Sequence, residues 1–264
     1  MPEAQADGVS FAACAACVAA IVLFQFLVSA RPSSPHGAAA APTAGAQRQD
    51  LHVQRKLQHA GTGGLIYAAS SVFSRSAGAG VLLAFALVFL GVHELRKRSD
   101  RVDAAYVATF RSILRQDEVN RTVLPGAFYF LLGSGTALAL FPPRIARLAV
   151  LHLAVGDPTA AFVGTLYGRH KLSALIGDLG GSKSLEGSAG CFAIAAVATF
   201  TALTLESAFY FSGEAHTATT AIALAGGLCA AAAELLDVAG WDDNLSLPLL
   251  SGVFLQLSVG RWLL

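Results

Sequence analysis

Long apolar runs, broken at intervals by polar stretches, set the plan of this chain. The first run, 10–30, carries no charge and is about 20 residues long, enough to cross a hydrocarbon core of ~30 Å. Others follow at 58–73, 78–94, 123–141, 145–164, 188–211, 218–238 and 246–264. The weakest are 58–73, which is short, and 145–164, which Asp157-Pro158 interrupts. The expected fold class is all-α: a polytopic integral membrane protein with about eight transmembrane helices, with seven to nine possible. Residues 1–30 form an N-terminal span, 31–51 a flexible linker and 52–264 the main membrane domain. The linker is expected from its Pro, Ala, Gly and Ser content.

The polar stretches alternate in length. Short turns at 74–77, 141–144 and 212–217 separate longer loops at 31–57, 95–122, 165–187 and 239–245. The longer loops hold most of the cations: Arg31, Arg48, Arg55 and Lys56; Arg96 through Arg98 with Arg101, Arg111, Arg115 and Arg121; and Arg169, Lys171 and Lys183. Only Arg75, Arg144, Arg147 and Arg261 lie elsewhere. The positive-inside rule therefore puts the longer loops in the cytosol and both termini outside. Glu3 and Asp7 precede the first run and no Lys or Arg does, which argues against a secretory signal or a transit peptide.

Composition agrees with the pattern. The chain is 55% hydrophobic and 13% charged, against about 25% charged in soluble domains. Its net charge of +1 offers no large basic face for nucleic acid. Cys14, Cys17, Cys191 and Cys229 all lie in apolar runs and read as buried thiols. The C-x-x-C spacing of the first two has no companion His or second Cys pair to make a metal site.

The chemistry gathers on the side assigned to the cytosol. Arg55, Lys56 and His59 open the second run; they read either as membrane-edge anchors or as a cationic clamp for phosphate. His93 and Glu94 close the third run before Arg96 and read as a helix end. Asp157 follows a dozen mostly apolar residues, a costly place for a charge and so a functional candidate, or else a helix breaker with Pro158. If the helix continues, Asp157, Ala160, Ala161, Gly164 and Gly168 share one face with little bulk, open to a packed helix or to a nucleotide. Residues 177–184 nearly match a P-loop, but Ser182 replaces its second glycine and no strand precedes it, so a P-loop fold is rejected. A phosphate cradle of backbone N–H groups from Gly180, Gly181 and Ser184 through Gly187, with Lys183 as cation, remains an expectation beside an ordinary loop. Glu234 and Asp237 share a helix face, and Asp242, Asp243 and Asn244 follow in a turn; such oxygen ligands at a membrane face suit Mg²⁺. His152 and Glu206, inside runs, are expected to find local partners or outer-edge solvent.

Taken together, RKLQH at 55–59, GDPTAAFVG at 156–164 followed by YGRHK, KSLEGS at 183–188, and Trp241 before DDNLSLPLLSG at 242–252 resemble the CTP-dependent lipid kinases. That family comprises dolichol, phytol and diacylglycerol kinases. The resemblance covers about 52–264, and the last motif and the modest length look most like the diacylglycerol kinase branch. It implies an enzyme of the endoplasmic reticulum or nuclear envelope that moves the γ-phosphate of CTP to a lipid alcohol, most simply diacylglycerol giving phosphatidic acid. Arg55, Lys56, Asp157 and Gly164 match positions that the family treats as functional, and Arg55, Lys56, Asp157 and Lys183 are expected to be the catalytic residues. His59, Gly156, Gly164, Gly168, Gly180, Gly181, Ser184, Glu186 and Gly187 would hold nucleotide phosphate, and Asp157, Asp237, Asp243 and Asn244 the metal. The expected cofactor is Mg²⁺ or another divalent cation, with CTP as co-substrate and a bilayer lipid alcohol as partner. A phosphatidate cytidylyltransferase and a transporter are the alternatives from other classes; a transporter fits less well because the charges gather at one face.

Overall fold

The computed structural model describes residues 11–29, 44–111, 113–177, 181–207, 215–236, 238 and 240–263. Helices dominate it, and among the described residues there is no strand, only an isolated bridge between Lys171 and Ser184. In chain order the longer helices are α1 (Phe11–Ser29), α2 (Ala44–Ala69), α3 (Arg75–Arg98), α4 (Asp100–Phe110) and, after the short α5 (Gln116–Val119), α6 (Gly126–Leu140). Then come α7 (Pro143–Tyr167), the short α8 (Ser173–Ile176), α9 (Leu185–Ser207), α10 (Ala215–Leu235), α11 (Asp243–Ser258) and the short α12 (Gly260–Leu263).

Each expected apolar run falls mainly on one helix, the last one divided between α11 and α12, but the bounds and the count differ. Among the described residues four helices are long and apolar enough to cross a membrane: Arg75–Arg98, Pro143–Tyr167, Leu185–Glu206 and Thr217–Leu235. Ala16–Val28 and Gly126–Leu140 are shorter apolar helices, so the structure supports a membrane protein without itself giving eight spans. α2 starts at Ala44, inside the stretch expected as linker, and it mixes Arg55, Lys56 and glutamines with apolar residues. α7 does not break at Asp157-Pro158; it runs on to Tyr167 and keeps Pro158 inside. Proline has no N–H, so the Ala154 carbonyl loses its helical donor there, a local loosening that the flanking helices tolerate.

α7 is the axis of the bundle. It packs against α2, α6, α9, α10 and α11. Ile145, Ala146, Ala149, Leu153 and Ala154 along it are wholly buried. Small residues set these crossings, as expected where helices associate by close packing in lipid. A Cβ on Gly187 of α9 would lie 2.8 Å from the Ala160 carbonyl oxygen of α7. His152 sits at the centre with no exposure. Its Nδ1 meets Ser251 Oγ of α11 at 2.7 Å and its Nε2 meets Thr199 Oγ1 of α9 at 2.8 Å, so one imidazole joins three helices. Glu206 pairs with Arg147 at 2.7 Å and Arg144 at 3.5 Å. Both residues thus have the local partners expected of them. Cys191 and Cys229 are buried free thiols, and Cys17 is free and half-buried. Around this core stands an apolar shell, with Leu87, Val88, Val197, Leu228 and Leu257 exposed as lipid-facing residues would be.

The stretch 95–122 is more than a polar loop. Ser99 caps α4, accepting from Val102 N at 3.5 Å, and Asp100 and Asp103 in the first turn suit the helix dipole. Arg96, fully buried, ties this strap down: it donates to Asp103 Oδ1 at 2.9 Å and to the Glu118 carbonyl at 3.0 Å, and its guanidinium lies 4.2 Å from the Tyr106 ring centre. Arg121 holds a left-handed backbone (φ 63°) and donates to the Arg96 carbonyl at 2.8 Å. The strap lies over one end of the bundle, the end where the polar side chains converge.

Candidate active site

Three lysine–carboxylate contacts converge from separate parts of the chain. Lys56 Nζ of α2 donates to Asp157 Oδ2 of α7 at 2.7 Å. The two side chains are 24% and 15% exposed, a mostly dry ion pair. His59, one turn on from Lys56, has its Nε2 3.7 Å from the same oxygen and donates to the Leu153 carbonyl at 3.1 Å. The ring is held edge-on to Phe130, with centroids 4.8 Å apart. Lys56 and His59 both approach Asp157 through Oδ2, so among the described contacts Oδ1 keeps its lone pairs for another partner.

Lys183, before α9, donates to the Glu234 carbonyl, lies 3.7 Å from Glu234 Oε1 and donates to Asp243 Oδ1 at 3.2 Å. Ser188 Oγ donates to Glu234 Oε2 at 3.0 Å. The Asp157 carboxylate is near enough to bear on both Glu234 and Asp243, which makes the two lysine clusters one electrostatic unit. Arg55 lies within electrostatic reach of Arg115, Glu118, Asp157 and Asp242. Arg55 thus belongs to the same field without a close ion pair of its own among the described contacts.

Two residues that the sequence reading did not single out complete the surround. Glu118 is 3% exposed and caps in two directions, accepting from Arg115 N at 2.8 Å and Gly126 N at 2.7 Å. Arg115 Nη1 reaches Asp242 Oδ2 at 3.3 Å across the end of the bundle. The other Asp242 oxygen caps α11, accepting from Asn244 N at 3.0 Å and Asn244 Nδ2 at 2.7 Å. The Q-D-E run before a turn is a helix-start signal that could have pointed to Glu118. No local pattern pointed to Arg115.

The glycine-rich half is arranged differently from the expected phosphate cradle. Ser184 Oγ accepts from Gly187 N at 3.2 Å and so caps α9, while Leu185 N donates to the His170 carbonyl at 2.9 Å. These N–H groups are spent within the chain. Ser184 also fills the space beside Gly164 and Gly168: a Cβ on either would come within 3.1 or 2.7 Å of its hydroxyl. Gly156 faces the Cys191 sulfur in the same way. In the structure, then, Gly156, Gly164, Gly168 and Gly187 serve close packing around α7 and α9. Glu186 binds the His170 ring at 2.7 Å and so ties the 168–184 loop to the start of α9. Gly181 takes φ 48°, a turn conformation that suits glycine, whereas Gly180 and Asp237 lie outside the described residues.

Asn244 Nδ2 is used in capping Asp242, and a metal would be held by the other amide atom, Oδ1. Among the described residues no three His, Cys, Asp or Glu side chains gather as a ready metal cage. Mg²⁺ needs less: one or two carboxylates plus substrate phosphates, with waters. Asp157 and Asp243, each now balanced by a lysine, fit that lighter demand.

Fold and site define an all-helical membrane protein with a cationic, acid-lined cluster at one end. The chain is 29% identical over 147 residues to the CTP-dependent diacylglycerol kinase 1 of Schizosaccharomyces pombe, a match covering 55% of this chain and 64% of that protein. It is 23% identical over 187 residues to the protein of that name from Saccharomyces cerevisiae, covering 67% and 62%, and 28% identical over 155 residues to that of Eremothecium gossypii, covering 54% and 47%. The chain therefore spans less than two thirds of each of these relatives. These likenesses support the CTP-dependent lipid kinase family, as the motifs implied. No family model matches the chain, and no solved structure does.

Proposed function

We propose that the chain is a CTP-dependent lipid kinase that phosphorylates diacylglycerol to phosphatidic acid. The observation that carries this reading is the convergence of Arg55, Lys56, Asp157, Lys183 and Asp243 at one end of an apolar bundle. A triphosphate brings several negative charges. Lysines already neutralised by carboxylates can be handed to phosphate oxygens when a divalent cation takes their place on the acids.

In the reaction, the lipid hydroxyl oxygen bonds to the γ-phosphorus of CTP as the bond to the CDP oxygen breaks. The hydroxyl proton is released late, because a loose transition state asks little of a base. Asp157 and Asp243 would hold a divalent cation, which would supply charge neutralisation for the phosphates. Lys56 and Lys183 hold the transferring group from two sides, and Arg55 offers its planar fork to phosphate oxygens. The helices that carry the apolar runs (α1, α2, α3, α6, α7, α9, α10 and α11) are read as spanning or re-entering the bilayer, with this end in the cytosol of an endoplasmic reticulum or nuclear envelope membrane.

The test is phosphorylation of diacylglycerol, dolichol and phytol, offered separately to purified protein with γ-labelled CTP or ATP. Labelled phosphatidic acid from CTP is expected. Asp157→Asn should still insert and fold, with some loss of stability from the unpaired Lys56, while losing at least about a hundred-fold in rate, the scale for removing one preorganised charge contact. A wild-type rate in that variant would remove Asp157 from the mechanism, and release of pyrophosphate instead of CDP would mean cytidylyl transfer.

A further inference from the structure

A cavity of about 270 Å³ lies beside the charged cluster, walled by α1, α2, α3 and α6 and roofed by the strap. Most of its wall is hydrocarbon, including Ile21, Ile66, Val81, Phe85, Phe130 and Leu131. One end is polar, where Arg55, His59, Glu118 and Asn244 reach it. His59 belongs to both places: it lines the cavity, and its Nε2 lies 3.7 Å from Asp157 Oδ2. Asn244 likewise joins the cavity to Asp243, its neighbour in the chain. The rim is open sideways. Val22 and Phe26 of α1 line the cavity yet are 39% and 51% exposed, on a side of the bundle where lipid would stand.

We propose that this cavity seats one hydrocarbon chain of the acceptor lipid, entering between α1 and α3, so that its hydroxyl-bearing end stops at His59 beside Asp157. This rests on the kinase reading above. A water-soluble substrate would have no use for such a wall, and a wholly apolar void would not need Arg55 and Glu118 at one end. The volume falls just under the roughly 300–1,000 Å³ of sites that engulf a whole small molecule. It therefore takes part of a lipid and leaves the remainder in the bilayer. α1 is a working wall of the site, although the family motifs begin only after it.

The experiment uses the full chain in phosphatidylcholine bilayers, photolabelled with a diacylglycerol that carries a diazirine on one acyl chain. Label is expected on Val81, Phe85 and Phe130, and Val81→Phe, which fills the cavity, should reduce it about ten-fold, the scale for steric discrimination in an apolar pocket. Label confined to the outer residues Leu87, Val88 and Leu257 overturns the proposal. Phe85→Ala, which widens the cavity, guards against a misfolded filling variant: it should shift kcat/KM toward bulkier acyl chains with KM for CTP unchanged. An equal change for every acceptor counts against the proposal. The photolabelling does not depend on turnover. Labelled cavity residues without phosphorylation of any lipid would end the kinase reading and leave the cavity as a lipid seat.

Discussion

Asp157 and Lys56 show what a single pair does in an apolar bundle. Their contact is 2.7 Å long and mostly shielded from water. Removing only the lysine leaves a carboxylate with little solvent, which costs on the order of 3 kcal/mol. Lys56→Met should therefore lower the melting temperature clearly, whereas the double variant Lys56→Met with Asp157→Asn should recover most of it while staying inactive. Thermal melts of detergent-purified protein measure this, and simple additivity of the two changes would show that the pair is not coupled. Asp157 was legible in the sequence because a charge in an apolar run needs a reason, whereas its pairing with Lys56, 101 positions away, came only with the fold. Glu118 was not, since a side chain that caps two backbone N–H groups leaves no periodic trace.

Among the elements, the 99–122 strap and the α7–α9 crossing depart most from the sequence reading. The strap hangs on Arg96, which is wholly buried and linked to Asp103, Glu118 and Tyr106. Arg96→Met should free it at a cost of about 3 kcal/mol. Limited proteolysis should then cut within 99–122 at protease levels that leave the wild type intact, and lipid phosphorylation should fall because the cavity loses its roof. Unchanged resistance would show that the strap is held by other contacts. The Ser99-Asp100 start and Asp103 were a readable helix signal, yet four-residue periodicity over eleven residues is a weak one next to long apolar runs. At the crossing, Gly164, Gly168 and Gly187 looked equally suited to a nucleotide or a helix, and only the position of Ser184 shows what occupies their face.

For the whole molecule, the carboxylate contacts of Lys56 and Lys183 lie at one end, while Arg147 with Ser71 and Glu206, and Arg75 with the Leu138 carbonyl, lie at the other. Single cysteines at Arg101 and Lys171, in a background without the native cysteines, should react with a membrane-impermeant maleimide only after the cytosolic face is opened. One at Ser76 should react from the opposite side. Labelling of Arg101 and Ser76 from the same side would break the proposed topology.

By itself the sequence determined that the chain is helical and apolar enough for a membrane protein, where most of its long helices lie, and that its cations gather in the longer loops. Those are consequences of hydrophobicity and charge, which act residue by residue and are legible along a line. Tertiary structure decided the rest: that α7 runs through Pro158, that Ser184 caps α9, that Arg115 meets Asp242 across the bundle, and that α1 walls an apolar cavity beside Asp157. Each depends on which residues distant in sequence become neighbours, and that is settled by packing between helices.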